Sequence, residues 1–205
     1  MNKYKVMSIG VCVAAMLALV GCGQAKVPEV VDVTSLVITD EGTVTSYLVD
    51  VFDKDYYSVS GLKTMAVEEA AEYNMEHQTG EEVPLTVDKV ELLEDGSERV
   101  VEVHKYNNTD TYMEYNKSIL FYGTVSDALN QGYNLDVILK NVKDDTLFAK
   151  DQLLQNPDKY LLITDARALI YCPGKVTHIS EGGIYKPDGT VDTSASEETV
   201  IILMK

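Results

Sequence analysis

Residues 85–106, "LTVDKVELLEDGSERVVEVHKY", constrain the fold more than any other stretch of this chain. Two runs rich in β-branched residues flank Asp95-Gly96. That dipeptide suits a two-residue primed turn, whose central positions both need positive φ. The spacing predicts a long β-hairpin. An isolated hairpin is marginal in water and needs further strands or a helix over its apolar face.

The flanking sequence offers both. "SLVITDEGTVTSYLVDVF" reads as two more strands joined by Asp40-Glu41-Gly42. On the second of these, Tyr47, Val49 and Val51 share one face, and Val44, Leu48 and Phe52 share the other. Apolar residues on both faces predict an interior strand. "SGLKTMAVEEAAEYNMEHQTG" then spaces Leu62, Met65, Ala66, Ala70 and Tyr73 at helical periodicity, with Glu68, Glu72 and Glu76 on another side. This is the main helix, about residues 60–78, with Ser58 or Ser60 able to cap it and Gly80 just beyond it. Short helices are expected at "NTDTYMEYN", capped by Asn108 or Thr109, and at "TVSDALNQG", where Thr124 and Asp127 have capping-box spacing. "SILFYG", "DKYLLIT", "ALIYC" and "KVTHIS" read as strands, Pro187-Asp188-Gly189 as a turn, and the apolar "TVIILMK" as a buried C-terminal strand. The expected class is α+β: an antiparallel or mixed sheet built from hairpins, one main helix and short helices.

The N-terminus has a different character. Lys3 and Lys5 precede an apolar run from Met7 to Val20, about 14 residues, short of the roughly 20 that span a bilayer as a helix. A basic start, a short apolar core and a small residue before a cut describe an export signal. The run ends in Leu19-Val20-Gly21-Cys22, which resembles the lipobox of bacterial prolipoproteins. The resemblance implies cleavage after Gly21 and a diacylglycerol on Cys22, so that two acyl chains anchor the protein to the outer side of the cell membrane. The expected division is a signal peptide at 1–21, a lipid anchor and tether at 22–33, and an α+β domain at 34–205, of one lobe or two. "DKDYYSVSGLKTMAVEEAAEYN" and "FYGTVSDALNQGYNLDV" also resemble segments of small lipoproteins from anaerobic Gram-positive bacteria. That likeness implies a location and a fold, not a mechanism.

Charge narrows the partners. Residues 1–21 hold two of the 17 basic residues and none of the 33 acids, so cleavage would leave 184 residues with a formal charge of −18. Only Arg99 and Arg167 are arginines. Nucleic-acid binding needs a basic stripe, and this chain offers the reverse. Cleavage would also remove Cys12, and lipidation would use Cys22, leaving Cys172 alone. There is then no disulfide framework, and stability must come from a packed core.

Catalytic signals are sparse. No G-x-S-x-G turn occurs, and His77, His104 and His178 have no carboxylate at a telling spacing. Zinc spacings are absent, and the acid pairs Asp53/Asp55 and Asp188/Asp192 complete no calcium loop. Both acid pairs are read as helix-end or turn chemistry. No metal or cofactor is assigned. The aromatic group Tyr112, Tyr115, Phe121 and Tyr122, beside Asn107, Asn108 and Asn116, is the candidate binding surface. The sequence therefore points to a membrane-anchored envelope lipoprotein acting as a non-enzymatic binding module for another envelope protein or a cell-wall component. The alternatives are a small-solute receptor serving a transporter and an envelope hydrolase.

Overall fold

A computed structural model describes residues 25–205; the signal peptide, Cys12 and the proposed lipid site Cys22 lie outside the described residues. The first half comprises β1 (Ser35–Ile38), β2 (Val44–Val51), α1 (Val59–His77), β3 (Leu85–Leu92), β4 (Arg99–Tyr106) and α2 (Thr109–Asn116). Next come β5 (Leu120–Thr124), α3 (Val125–Asn130), β6 (Leu139–Asn141), β7 (Leu147–Phe148) and α4 (Lys150–Leu154). The chain closes with β8 (Tyr160–Thr164), β9 (Leu169–Tyr171), β10 (Val176–Ile179), β11 (Ile184–Tyr185), β12 (Val191–Asp192) and β13 (Val200–Met204).

The strands form two sheets rather than one. The first runs β11-β12-β9-β1-β2-β4-β3, and the second β5-β8-β13-β10-β6-β7. All pairings are antiparallel except β1 with β9, so the first sheet is mixed. This is α+β, with sheet predominating.

Alternation along the strands decides where the core sits. In β13, Val200, Ile202 and Met204 join a main cluster that also takes Leu36, Val44 and Ile170 from the first sheet. The intervening Ile201 and Leu203 point the other way, onto Val125 and Ala128 of α3 and Leu153 of α4. β13 is thus buried on both faces, as its unbroken apolar run predicts, and lies between β8 and β10. Each such side chain contributes roughly 1.5–3 kcal/mol on burial. The first sheet is covered less completely. α1 packs Ala66 and Leu62 on Val90 and Val100, whereas Val101 and Val103 on the opposite face form a separate small cluster with Leu93 and their cross-strand neighbours Tyr47 and Val49.

Several sequence expectations are corrected. Asp95-Gly96 is not a two-residue primed turn: Leu93 N–H donates to the Arg99 carbonyl, and the positive φ values fall on Gly96 and Glu98. The Asp95 carboxylate accepts from Ser97 and from the Arg99 guanidinium (2.7 Å), which stabilises a longer loop than backbone propensity alone selects. Met65 lies on the side of α1 away from the sheet, 57% exposed, and Leu48 and Val51, on opposite faces of β2, are exposed as well. The elements β6, β7 and α4 escape sequence reading because they are too short to show a period. Other features match. Ser58 caps α1, Asn108 caps α2, and Thr124 and Asp127 form a capping box on α3.

Residues 25–33 form no regular element, yet they touch the body. Val31 is buried, and the Asp32 carbonyl accepts from Arg99 Nη1 at 2.6 Å. No helix among the described residues is long and apolar enough to cross a membrane.

Candidate functional site

The aromatic residues singled out from sequence do not form one exposed surface. Tyr112 (6% exposed) is core, its ring 5.2 Å from that of Tyr106. Phe121 (4% exposed) lies on the opposite face of the second sheet, against Tyr133. Consecutive residues on β5 must point apart, so Phe121 and Tyr122 cannot share a face. Tyr122 is half-buried beside Tyr160, and Tyr115 packs among Tyr73, Tyr106 and His104. The neighbouring amides are structural as well. Asn108 Oδ1 accepts from Thr111 N–H, Asn107 Oδ1 accepts from the Thr111 hydroxyl, and Asn116 Nδ2 donates to the Tyr112 carbonyl.

What Tyr106 and Tyr115 do enclose is His104. It is 5% exposed, and neither ring nitrogen has a hydrogen-bond partner among the described residues; nor does the Tyr106 hydroxyl. Alternation on β4 places Val100, Glu102, His104 and Tyr106 on the inward face, so two polar residues sit between two apolar ones. Glu102 Oε2 lies 4.0 Å from His104 Nε2. Burial pushes the imidazole pKa down, opposed by Glu69 on α1, and burial pushes the Glu102 carboxyl up. Ser46 pairs across the ladder with His104. Serine, histidine and glutamate are thus adjacent, but Ser46 and His104 are buried with no hydrogen bond between them, so the arrangement does not form a nucleophile–base pair. Cys172 is equally inert, its thiol pushed up to about 12 by burial.

A concave site lies elsewhere, at the β9–β12–β11 end of the first sheet. A groove of about 650 Å³ opens there, within the range of roughly 300–1,000 Å³ usual for small-ligand sites. Val33, Leu169 and Pro187 give it an apolar lining, and Arg167, Lys186, Asp188 and Asp192 supply its charges.

Each charged group is positioned by local chemistry. The loop from Asp165 to Ala168 joins β8 to β9 and carries Arg167. The Thr193 hydroxyl shares its one proton between the carbonyls of Ala166 (2.6 Å) and Ala168 (2.9 Å) and accepts from Ala168 N–H. At the other end, Asp165 Oδ1 accepts from Ser118 Oγ and Ile119 N–H. The loop is therefore held at both ends while Arg167 remains exposed. Across the groove, Asp188 Oδ1 accepts from Thr190 N–H and Oγ1, which fixes the 187–189 turn, with Gly189 at φ +93°. Asp192 Oδ1 accepts from Ser194 N–H and Oγ, and its Oδ2 pairs with Lys186 Nζ at 2.9 Å. Bonds from Thr190 and Ser194, aided by Lys186, hold both carboxyls below the usual range. Both remain ionised at neutral pH.

The two arginines differ sharply. Arg99 donates to Ser97, Asp95 and the Asp32 carbonyl. Arg167 makes no ion pair or side-chain hydrogen bond among the described residues, and it lines the groove. The sequence reading placed Asp188 in a turn correctly, but Asp192 ends strand β12, and the groove the two share was missed. Only the pairing of β9 with β12, Leu169 opposite Asp192, brings them beside Arg167. The scarcity of arginine, Arg99 and Arg167 alone in an acidic chain, is the one signal that could have led there, and it was read only as evidence against nucleic acid. Among the described residues, no three His, Cys, Asp or Glu side chains are grouped to hold a metal ion. No protein-family model, curated protein or solved structure matches this chain.

Proposed function

We propose that this protein is a lipid-anchored, non-enzymatic binding module of the bacterial cell envelope, tethered through Cys22 and taking its ligand in the groove beside Arg167. The observation that carries the binding half is an unpaired guanidinium on a clamped loop over an apolar groove. A cation so placed does nothing for folding and is ready for an anionic group. The observation that carries the anchored half is the lipobox itself, Leu19-Val20-Gly21-Cys22 after a short apolar core. A formal charge of −16 for the whole chain adds to this reading: repulsion from anionic head groups keeps the body off the membrane surface and leaves attachment to the acyl chains.

Between the alternatives, the groove favours a small-ligand receptor over a hydrolase, because its Thr190 and Ser194 hydroxyls are tied to Asp188 and Asp192 two residues away as turn chemistry, and no histidine or cysteine lines it. Two measurements test the proposal. Labelled palmitate fed to cells should enter the full-length chain and be lost in Cys22→Ser; equal labelling of both would end the anchor reading. Cell-envelope extract should raise the melting temperature of the native protein but not of Leu169→Lys, which fills the groove while leaving Arg167 in place. An equal rise in both would put the ligand site elsewhere.

A further inference from the structure

We infer that the groove ligand is a short zwitterionic peptide with apolar side chains, its carboxylate held by Arg167 and its ammonium by Asp188. The inference rests on the groove being the binding site and adds the chemical class of the ligand. It follows from which charges are already matched. Lys186 is matched by Asp192 at 2.9 Å, so that pair offers little net charge to a ligand. Two groups remain. Arg167 has no partner among the described residues, and Asp188 keeps one oxygen, Oδ2, outside its bonds to Thr190.

The unmatched charges are therefore one cation and one anion, and the four charged groups sum to zero. An anionic ligand would leave Asp188 facing like charge within a chain already at −16. A cationic ligand would leave Arg167 unmatched in the same way. A neutral zwitterion satisfies both and adds no net charge. The same groove is lined by Val33, Leu169 and Pro187, which ask for apolar side chains rather than sugar hydroxyls. The guanidinium can also grip a carboxylate through two parallel N–H bonds, which gives direction as well as attraction.

The test uses the tripeptide Leu-Val-Leu in three forms: both ends free, N-acetylated, and C-amidated. Binding is read by calorimetry and by amide chemical shifts at Leu169, Thr190 and Asp192. The free peptide should bind and shift these resonances. Amidation or acetylation should each weaken it about ten- to a hundred-fold, the loss of one charged hydrogen-bond contact. Arg167→Gln should abolish discrimination between acid and amide while keeping discrimination at the amino end, and Asp188→Asn should do the reverse. Equal binding of all three forms, prevented by Leu169→Lys, would retain the groove but overturn the zwitterion. Absence of binding by the free peptide, while envelope extract still stabilises the protein, would overturn the peptide class alone. Loss of both responses would overturn the groove as well.

Discussion

At the scale of single residues, burial separates chemistry from packing in this protein. His104 is the clearest case. On its inward face it meets Glu69 from α1, Glu102 of its own strand, Ser46 across the ladder, and the Tyr106 and Tyr115 rings. Its lowered pKa means that the unfolded chain takes up a proton first as pH falls through about 6.5. The histidine contribution to stability should therefore decline from pH 7 towards 5, since that proton binds U more readily than N, while the raised Glu102 carboxyl opposes it at the acid end. His104→Leu should reduce that decline, leaving the share of His178, whose pKa burial also lowers, and by replacing unpartnered buried nitrogens should hold or raise stability at pH 7 by about 1 kcal/mol. Urea unfolding at both pH values reads the difference, and an unchanged slope would clear His104 of the effect. Tyr112 makes the contrasting prediction. As a core residue rather than a surface one, Tyr112→Ala should cost about 3–5 kcal/mol and leave no binding defect separable from stability. A drop under 1 kcal/mol in the same assay would return it to the surface.

Secondary-structure elements were legible where the signal was local. Asn108 capping α2 and the Thr124–Asp127 box on α3 involve contacts only three residues apart, so the sequence carries them whole. The second hairpin was placed correctly, but its turn was not. The Asp95 carboxylate's bonds to Ser97 and Arg99 outweigh the preference of Asp-Gly for a tight turn. Contacts between distant elements were hidden for the opposite reason. Gly182, at φ +89°, lies so close to the loop between β12 and β13 that an added Cβ would meet the Ser196 hydroxyl. Nothing near Gly182 in sequence announces this approach. Gly182→Ala combines a disfavoured φ with a clash and should cost about 1–3 kcal/mol, measurable as a lower melting temperature. A neutral effect would mean that the turn and the Ser196 side chain shift apart at no cost.

For the molecule as a whole, charge and topology act in different ways. A formal charge of −16 opposes compaction, and salt shortens the reach of that repulsion to about 8 Å near physiological strength. Raising sodium chloride from low to physiological concentration should therefore raise the melting temperature. A fall would show that ion pairs such as Lys186–Asp192 and Arg99–Asp95 outweigh the repulsion. The sequence by itself determined the α+β class, the main helix, the buried C-terminal strand and the candidate lipid site, because each is written in a short window of periodicity, capping chemistry or motif. Only the tertiary structure decided that the strands divide into two sheets, that Tyr112 and Phe121 are core on different faces, and that Arg167, Asp188 and Asp192 share one groove. Those outcomes depend on the β5–β8, β1–β9 and β9–β12 pairs, which join residues more than twenty positions apart. Strand order is set by which apolar faces can be buried together, and that is a property of the whole core rather than of any window along the chain.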